Sequence, residues 1–211
     1  IHRKARVRQE PGDARGVRAG VQAAAALLRA PSVKRAVLCF AGAASADAVT
    51  AAVQTVAQAS YVYTTTKSKA EASVLNRVVI GVADTAAVTQ AFEHSVAVSV
   101  GVEFAREWGN RPGNHATPTL LADAAKGLAK HAGIQCKVME PTEVAKLGMG
   151  SFMAVAQGSK ELLRFIELRY TGAAKTQAPI VLIGKGITFD SGGISLKPGA
   201  EMDEMKFDMC G

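Results

Sequence analysis

Pro179-Ile180-Val181-Leu182-Ile183-Gly184-Lys185-Gly186-Ile187-Thr188-Phe189-Asp190-Ser191-Gly192-Gly193-Ile194-Ser195-Leu196-Lys197-Pro198 is the stretch whose reading decides the fold. Ile180 to Ile183 is an uninterrupted apolar run ending at glycines, the pattern of a strand buried on both faces of a sheet. The segment beyond it is then a loop at a strand's carboxyl end, where ligands gather in open α/β sheets. It carries Lys185, Asp190 and Lys197, and Asp208 follows in Met202-Asp203-Glu204-Met205-Lys206-Phe207-Asp208-Met209-Cys210-Gly211. Two amines and two carboxylates share one short segment with many glycines and few bulky side chains.

Four chemistries compete for these residues. A phosphate or nucleotide cradle would use the glycines, but Gly186 follows Lys185 where a P-loop needs Ser or Thr, and no Gly-x-Gly-x-x-Gly is present. A solvated, charged surface loop would need no ligand. A divalent-metal site would use Asp190 and Asp208 as hard oxygen donors. A lysine could join only as a neutral amine, its pKa depressed by a neighbouring cation. Lys197 could then serve as a positive charge over a carbonyl that becomes an oxyanion. A Schiff base on Lys185 or Lys197 would require a buried lysine.

The segment Gly184 to Pro198, with Met202 to Gly211, resembles the metal-binding segment of the cytosolic leucyl aminopeptidases, two-metal exopeptidases. The resemblance extends upstream through Asn110-Arg111-Pro112-Gly113-Asn114, Thr117-Pro118, Met149-Gly150, Gln157-Gly158-Ser159 and Phe165-Ile166-Glu167-Leu168-Arg169-Tyr170. It covers the second half of the chain well and the first half loosely. It implies that Lys185 is a neutral-amine metal ligand, Asp190 a carboxylate bridging two metals, and Asp208 a ligand of the same metal as Lys185. By the same resemblance Lys197 polarises the scissile carbonyl and Met205 lines the pocket for the substrate's first side chain. The family's second cluster, with an aspartate, a bridging glutamate and an arginine that holds a bicarbonate base, is expected beyond Gly211. The expectation is therefore a chain truncated at both ends and inactive alone. For the complete enzyme the resemblance implies two divalent ions (Mn²⁺ or Zn²⁺), bicarbonate, peptide substrates with a free N-terminus, a homo-hexamer and a cytoplasmic location.

Composition narrows the alternatives. The chain has 211 residues, 48% of them hydrophobic, enough for a core in one or two domains. No apolar run approaches the length of a membrane span. Cys39, Cys136 and Cys210 form no Cys-x-x-Cys, so neither a disulfide framework nor a zinc finger is indicated. His94, His115 and His131 lack ligand-spaced partners, and the absence of His-Glu-x-x-His excludes a zincin mechanism. The net charge of +7 belongs to residues 1–35, which hold nine Lys/Arg against Glu10 and Asp13. Nucleic-acid binding through that basic segment is one rival to the peptidase reading; a non-catalytic α/β module holding phosphate on the Gly184 to Gly193 loop is the other.

Read in order, residues 1–13 show no periodicity and 14–30 form an amphipathic helix stopped before Pro31. Strands are expected at Arg35 to Phe40, Tyr61 to Tyr63 and Val74 to Val82, with a helix over Asp47 to Ala59. Asp84 caps a long helix to Trp108, whose apolar residues recur every four positions. Thr117 and Pro118 open a helix, Ile134 to Met139 is a strand, Pro141 starts a short helix, and Leu162 to Tyr170 is a further strand. The spacing of Met202, Met205 and Met209 suggests core packing of a last helix. Met149 to Gly158 carries no assignable pattern. The class is α/β: a partial N-terminal α/β domain (1–83) joined by a long helix (84–109) to the first part of an α/β catalytic domain (110–211) with a central mixed sheet.

Overall fold

The computed structural model describes residues 13–210, which mix helix and strand as an α/β chain. It divides into two compact units, Ile1–Glu107 and Trp108–Gly211.

The first unit is built on α3, Ala46–Ser60. Ser45 caps it by accepting from Ala48 N at 3.1 Å, and Asp47 in the first turn complements the positive helix end. Its inner face is made of small residues, with Ala48, Val49, Ala51, Ala52 and Ala59 buried. That lets α1 (Ala14–Ala23) pack closely, with Val21 buried. The expected single helix over 14–30 breaks at Ala24, with a separate turn, α2, at Ala25–Leu28. Strands β1 (Arg35–Cys39) and β2 (Arg77–Gly81) pair in parallel, with Arg35 opposite Arg77 and Cys39 opposite Gly81. α3 is the crossover between them, which two parallel strands require.

Tyr61 to Tyr63 is not a strand. Tyr61 is held by its side chain instead: its hydroxyl donates to Glu107 Oε2 at 3.1 Å, and the Arg106 guanidinium lies 4.3 Å over its ring. The long helix, α4, spans Thr89–Asn110 rather than starting after Asp84. Asp84 caps only the preceding turn, accepting from Ala87 N at 3.3 Å. Ser95 on α4 is fully buried; its hydroxyl donates to Ala91 O at 2.6 Å and lies 3.1 Å from Thr50 Oγ1 of α3.

The second unit opens with α5, Pro118–Leu128, where Thr117 accepts from Leu120 N at 3.3 Å and proline occupies the first turn. Strand β3 (Ile134–Met139) pairs antiparallel with β4 (Phe165–Tyr170), Met139 lying opposite Phe165. Helix α6 (Pro141–Lys146) starts with Glu140 N donating to Glu143 Oε2 at 3.3 Å. Helix α7 (Gly150–Ala156) occupies the stretch that sequence pattern left unassigned. Met139, Val144 and Leu163 form the buried centre here, with Met149, Met153, Ala156 and Phe165 packed around it.

Two expectations about sheets fail. Ile180 to Ile183 is not a buried strand; these residues are 92%, 71%, 93% and 93% exposed. No strand among the described residues pairs with them, and an apolar run becomes a strand only when neighbours satisfy its backbone. For the same reason there is no central mixed sheet, only the parallel β1-β2 pair and the antiparallel β3-β4 pair among the described residues. The last element, Met202–Cys210, is a 3₁₀ helix with half-buried methionines rather than a core-packed helix. The segment 1–13, read from sequence as lacking periodicity, lies almost entirely outside the described residues.

Val144 is fully buried, so Val144→Ala should lower unfolding free energy by about 2 kcal/mol through lost contacts and a residual cavity. Val37→Ala, at a position 67% exposed, should change it by less than about 0.5 kcal/mol. Urea melts of the two variants provide the comparison, and equal losses would contradict this placement of the core.

Candidate metal centre

The loop from Gly184 to Gly199 is held by its own backbone. Asp190 Oδ1 accepts from Gly192 N at 2.9 Å, an Asx turn, and Lys197 N donates to Ser191 O at 2.9 Å. Gly192 sits at φ +89°, where an L side chain is strained, and a Cβ there would overlap Ser195 O and lie 3.0 Å from Lys197 N. The fold-back carries Lys197 to Asp190. Behind the loop, Phe189 packs on Gly113, where an added Cβ would lie 3.1 Å from Phe189 Cβ.

The 3₁₀ helix supplies the opposite wall. With three residues per turn, Met202, Met205 and Asp208 form one row. Asp208 meets Lys185, whose Nζ is 2.8 Å from Oδ1 and 2.7 Å from Oδ2. Met205 Sδ lies 3.0 Å from Lys197 Nζ. Lys197 Nζ is 3.2 Å from Asp190 Oδ2, and Lys185 Nζ is 3.8 Å from the same oxygen. All five residues singled out in the sequence therefore meet at one place.

The electrostatics follow from these contacts. The Gly192 N–H first, then Lys197, hold the Asp190 carboxyl below the usual carboxylate range. The hydrogen bond to Asp208 raises Lys185 above the ordinary lysine value against the opposing effect of burial. Asp208 Oδ2, although 2.7 Å from Lys185 Nζ, is buried and accepts no directed hydrogen bond. Such an oxygen has a lone pair to spare, which suits a cation donor set. Among the described residues no group of three or more His, Cys, Asp and Glu could hold a metal, so three donors are reached here only by counting Lys185. A nitrogen and two carboxylates fit a small divalent ion once the amine is deprotonated. A Schiff-base role fits poorly, since the Lys185 side chain is 55% exposed and both lysines are ion-paired.

A family profile described as the cytosol aminopeptidase family, catalytic domain, matches residues 103–211, half of the chain. The chain belongs to the cytosol aminopeptidase family. The probable cytosol aminopeptidase of Verminephrobacter eiseniae is 65% identical over 200 residues, which are 95% of this chain and 38% of that protein. The probable cytosol aminopeptidase of Acidovorax ebreus is 63% identical over 199 residues, or 94% and 40%. Among solved structures, the bottromycin maturation enzyme BotP in complex with Mn superimposes with a TM-score of 0.76 at 30% identity, covering 93% of this chain and 41% of that one. The chain thus spans about 40% of the length of these relatives. Sequence reasoning missed Gly113 and Gly192 as supports of the site. The Gly192-Gly193 pair, two residues after an aspartate, was the available signal for the second.

Gly192→Ala should open the fold-back, lowering the melting temperature and separating Lys197 from Asp190. NMR titration should then find the Asp190 carboxyl nearer its ordinary pKa in the variant than in the parent. Because its folded pKa is depressed, the stability that Asp190 contributes is present above its unfolded pKa and fades as pH falls through the folded one. Gly192→Ala should flatten that acid limb, and an unchanged limb would count against the assigned contacts.

Proposed function

We propose that this chain carries half of the metal centre and the catalytic lysine of an aminopeptidase that removes leucine-like N-terminal residues from peptides in the cytoplasm. The observation that carries this reading is the convergence of Lys185, Asp190 and Asp208, with Lys185 Nζ within 3.8 Å of both carboxylates. Membership of the cytosol aminopeptidase family supports it, as do the names of the bacterial relatives and the Mn held by BotP.

In this reading Lys185, Asp190 and Asp208 would hold one divalent ion, Mn²⁺ or Zn²⁺, and Asp190 would be shared with a second. When bound, such ions supply Lewis acidity and acidify a water toward neutral pH. The remaining work falls to side chains of this chain. Lys185 Nζ shares its proton with Asp208 and must release it to donate a lone pair, so metal uptake and proton loss are coupled. Lys197, held by Asp190 and Met205, offers an ammonium to the scissile carbonyl oxygen as that atom becomes an oxyanion. Met205 borders the space for the first side chain of a peptide with a free N-terminus.

The donor count sets a limit. Three ligands serve one ion, and only Asp190 serves the other, so these 211 residues expressed alone should bind about one Mn²⁺ and leave leucine p-nitroanilide intact. Calorimetry in buffers of different ionisation enthalpy should show about one proton released per ion and affinity rising with pH. Lys185→Met and Asp208→Asn should each weaken binding at least about tenfold. Metal binding indifferent to both substitutions would sink the reading. In an active enzyme containing these residues, Lys197→Met should lower kcat about a hundredfold or more.

A further inference from the structure

A groove of about 120 Å³ lies between α3 and α4, within the first unit and separate from the residues just described. Its lining is mixed, Ala57, Val98 and Val102 giving apolar wall between the polar groups. Gln54 and Gln58, one turn apart on α3, border it, as do Ser99, Glu103 and Arg106 on α4. The Ser99 hydroxyl is buried and has no hydrogen-bond partner, a costly state unless something enters the groove to pair with it.

Glu103 and Arg106 stand at i,i+3, a spacing at which opposite charges ordinarily pair. They form no ion pair with each other. Arg106 is instead fixed 4.3 Å over the ring of Tyr61, whose hydroxyl is anchored on Glu107. One groove thus presents a fixed cation, a free carboxylate about one helical turn away, an unsatisfied hydroxyl and two primary amides.

We infer that this groove binds a free α-amino acid. The ligand's carboxylate meets the Arg106 guanidinium and its ammonium meets Glu103, while the Ser99 hydroxyl and the amides of Gln54 and Gln58 complete the polar contacts. A simple carboxylate would satisfy Arg106 but face the negative charge of Glu103, and a simple amine would have the converse problem. Only a zwitterion with its two charges a few ångströms apart answers both. The volume suits an amino acid and is too small for a nucleotide. Free amino acids are also the product class of the reaction proposed above, although the groove's chemistry does not depend on that reaction.

The test is titration calorimetry of the metal-free 211-residue chain with L-leucine, its deaminated analogue 4-methylpentanoate and its decarboxylated analogue 3-methylbutylamine. L-leucine should bind saturably and each analogue about tenfold or more weakly. Arg106→Gln and Glu103→Gln should each weaken leucine binding about tenfold. Ser99→Ala should weaken binding yet melt no lower than the parent, because it removes an unpaired buried hydroxyl. Binding should survive Lys185→Met, so the loop site and this groove stand or fall separately. Absence of saturable leucine binding, equal affinity for 4-methylpentanoate, or binding unchanged in both charge variants would overturn the inference.

Discussion

One carboxylate organises the candidate centre. Asp190 faces Lys197 at 3.2 Å and Lys185 at 3.8 Å through one oxygen, and its other oxygen is occupied by the Gly192 N–H at 2.9 Å. A carboxylate has two oxygens and several lone-pair directions, so it can serve two cations at once, as an amine cannot. Asp208 balances the second positive charge from the facing helix. Two lysines and two aspartates therefore form a neutral, alternating set. Without cross-pairing, two ammonium groups on one short loop would repel each other and spread it open.

The helix type matters as much as the charges. In a 3₁₀ helix positions three apart eclipse each other, so one turn separates the residue that touches Lys197 from the residue that touches Lys185. Both lysines come from the loop and both partners come from one helical row, so the centre is zipped between two local elements. The sulfur contact on Lys197 is softer than an ion pair. It leaves that ammonium less neutralised than Lys185, which lies between two carboxylates. The two amines thus differ by environment alone, one suited to exchange its proton for another cation and the other to present its charge outward.

What the sequence disclosed follows the same division between local and distant causes. Caps and breakers act within a few residues, so Thr117 with Pro118, both edges of β3, the start of β1 and the end of β4 could be read directly. The site residues were legible because their chemistry is unusual for a loop and because they match a family pattern; the turn at Gly192 was implicit in Asp-x-Gly. Helix α7 escaped because Gly150, Ser151 and Gly158 mask the apolar row of Met149, Met153 and Ala156, which only packing against Val144 reveals. Tyr61 to Tyr63 has strand-like residues, yet the side chain of Tyr61 found Glu107 and Arg106, and tertiary contact overrode propensity.

Ile180 to Ile183 marks the boundary of what local pattern can decide. Its composition specifies that it be buried, but burial and ladder pairing are supplied by segments distant in sequence, and none among the described residues does so. The loop it leads into nevertheless closes, because its polar side-chain contacts reach no further along the chain than from Lys185 to Asp208, and Phe189 on Gly113 adds an apolar contact from outside that stretch. The loss of loop-closure entropy grows only slowly with such lengths, so a few charge-assisted contacts suffice to hold the arrangement. The strand's fate and the site's geometry are therefore separable. The chemistry of the centre is written into a contiguous stretch, and the ladder partners that Ile180 to Ile183 would need are not.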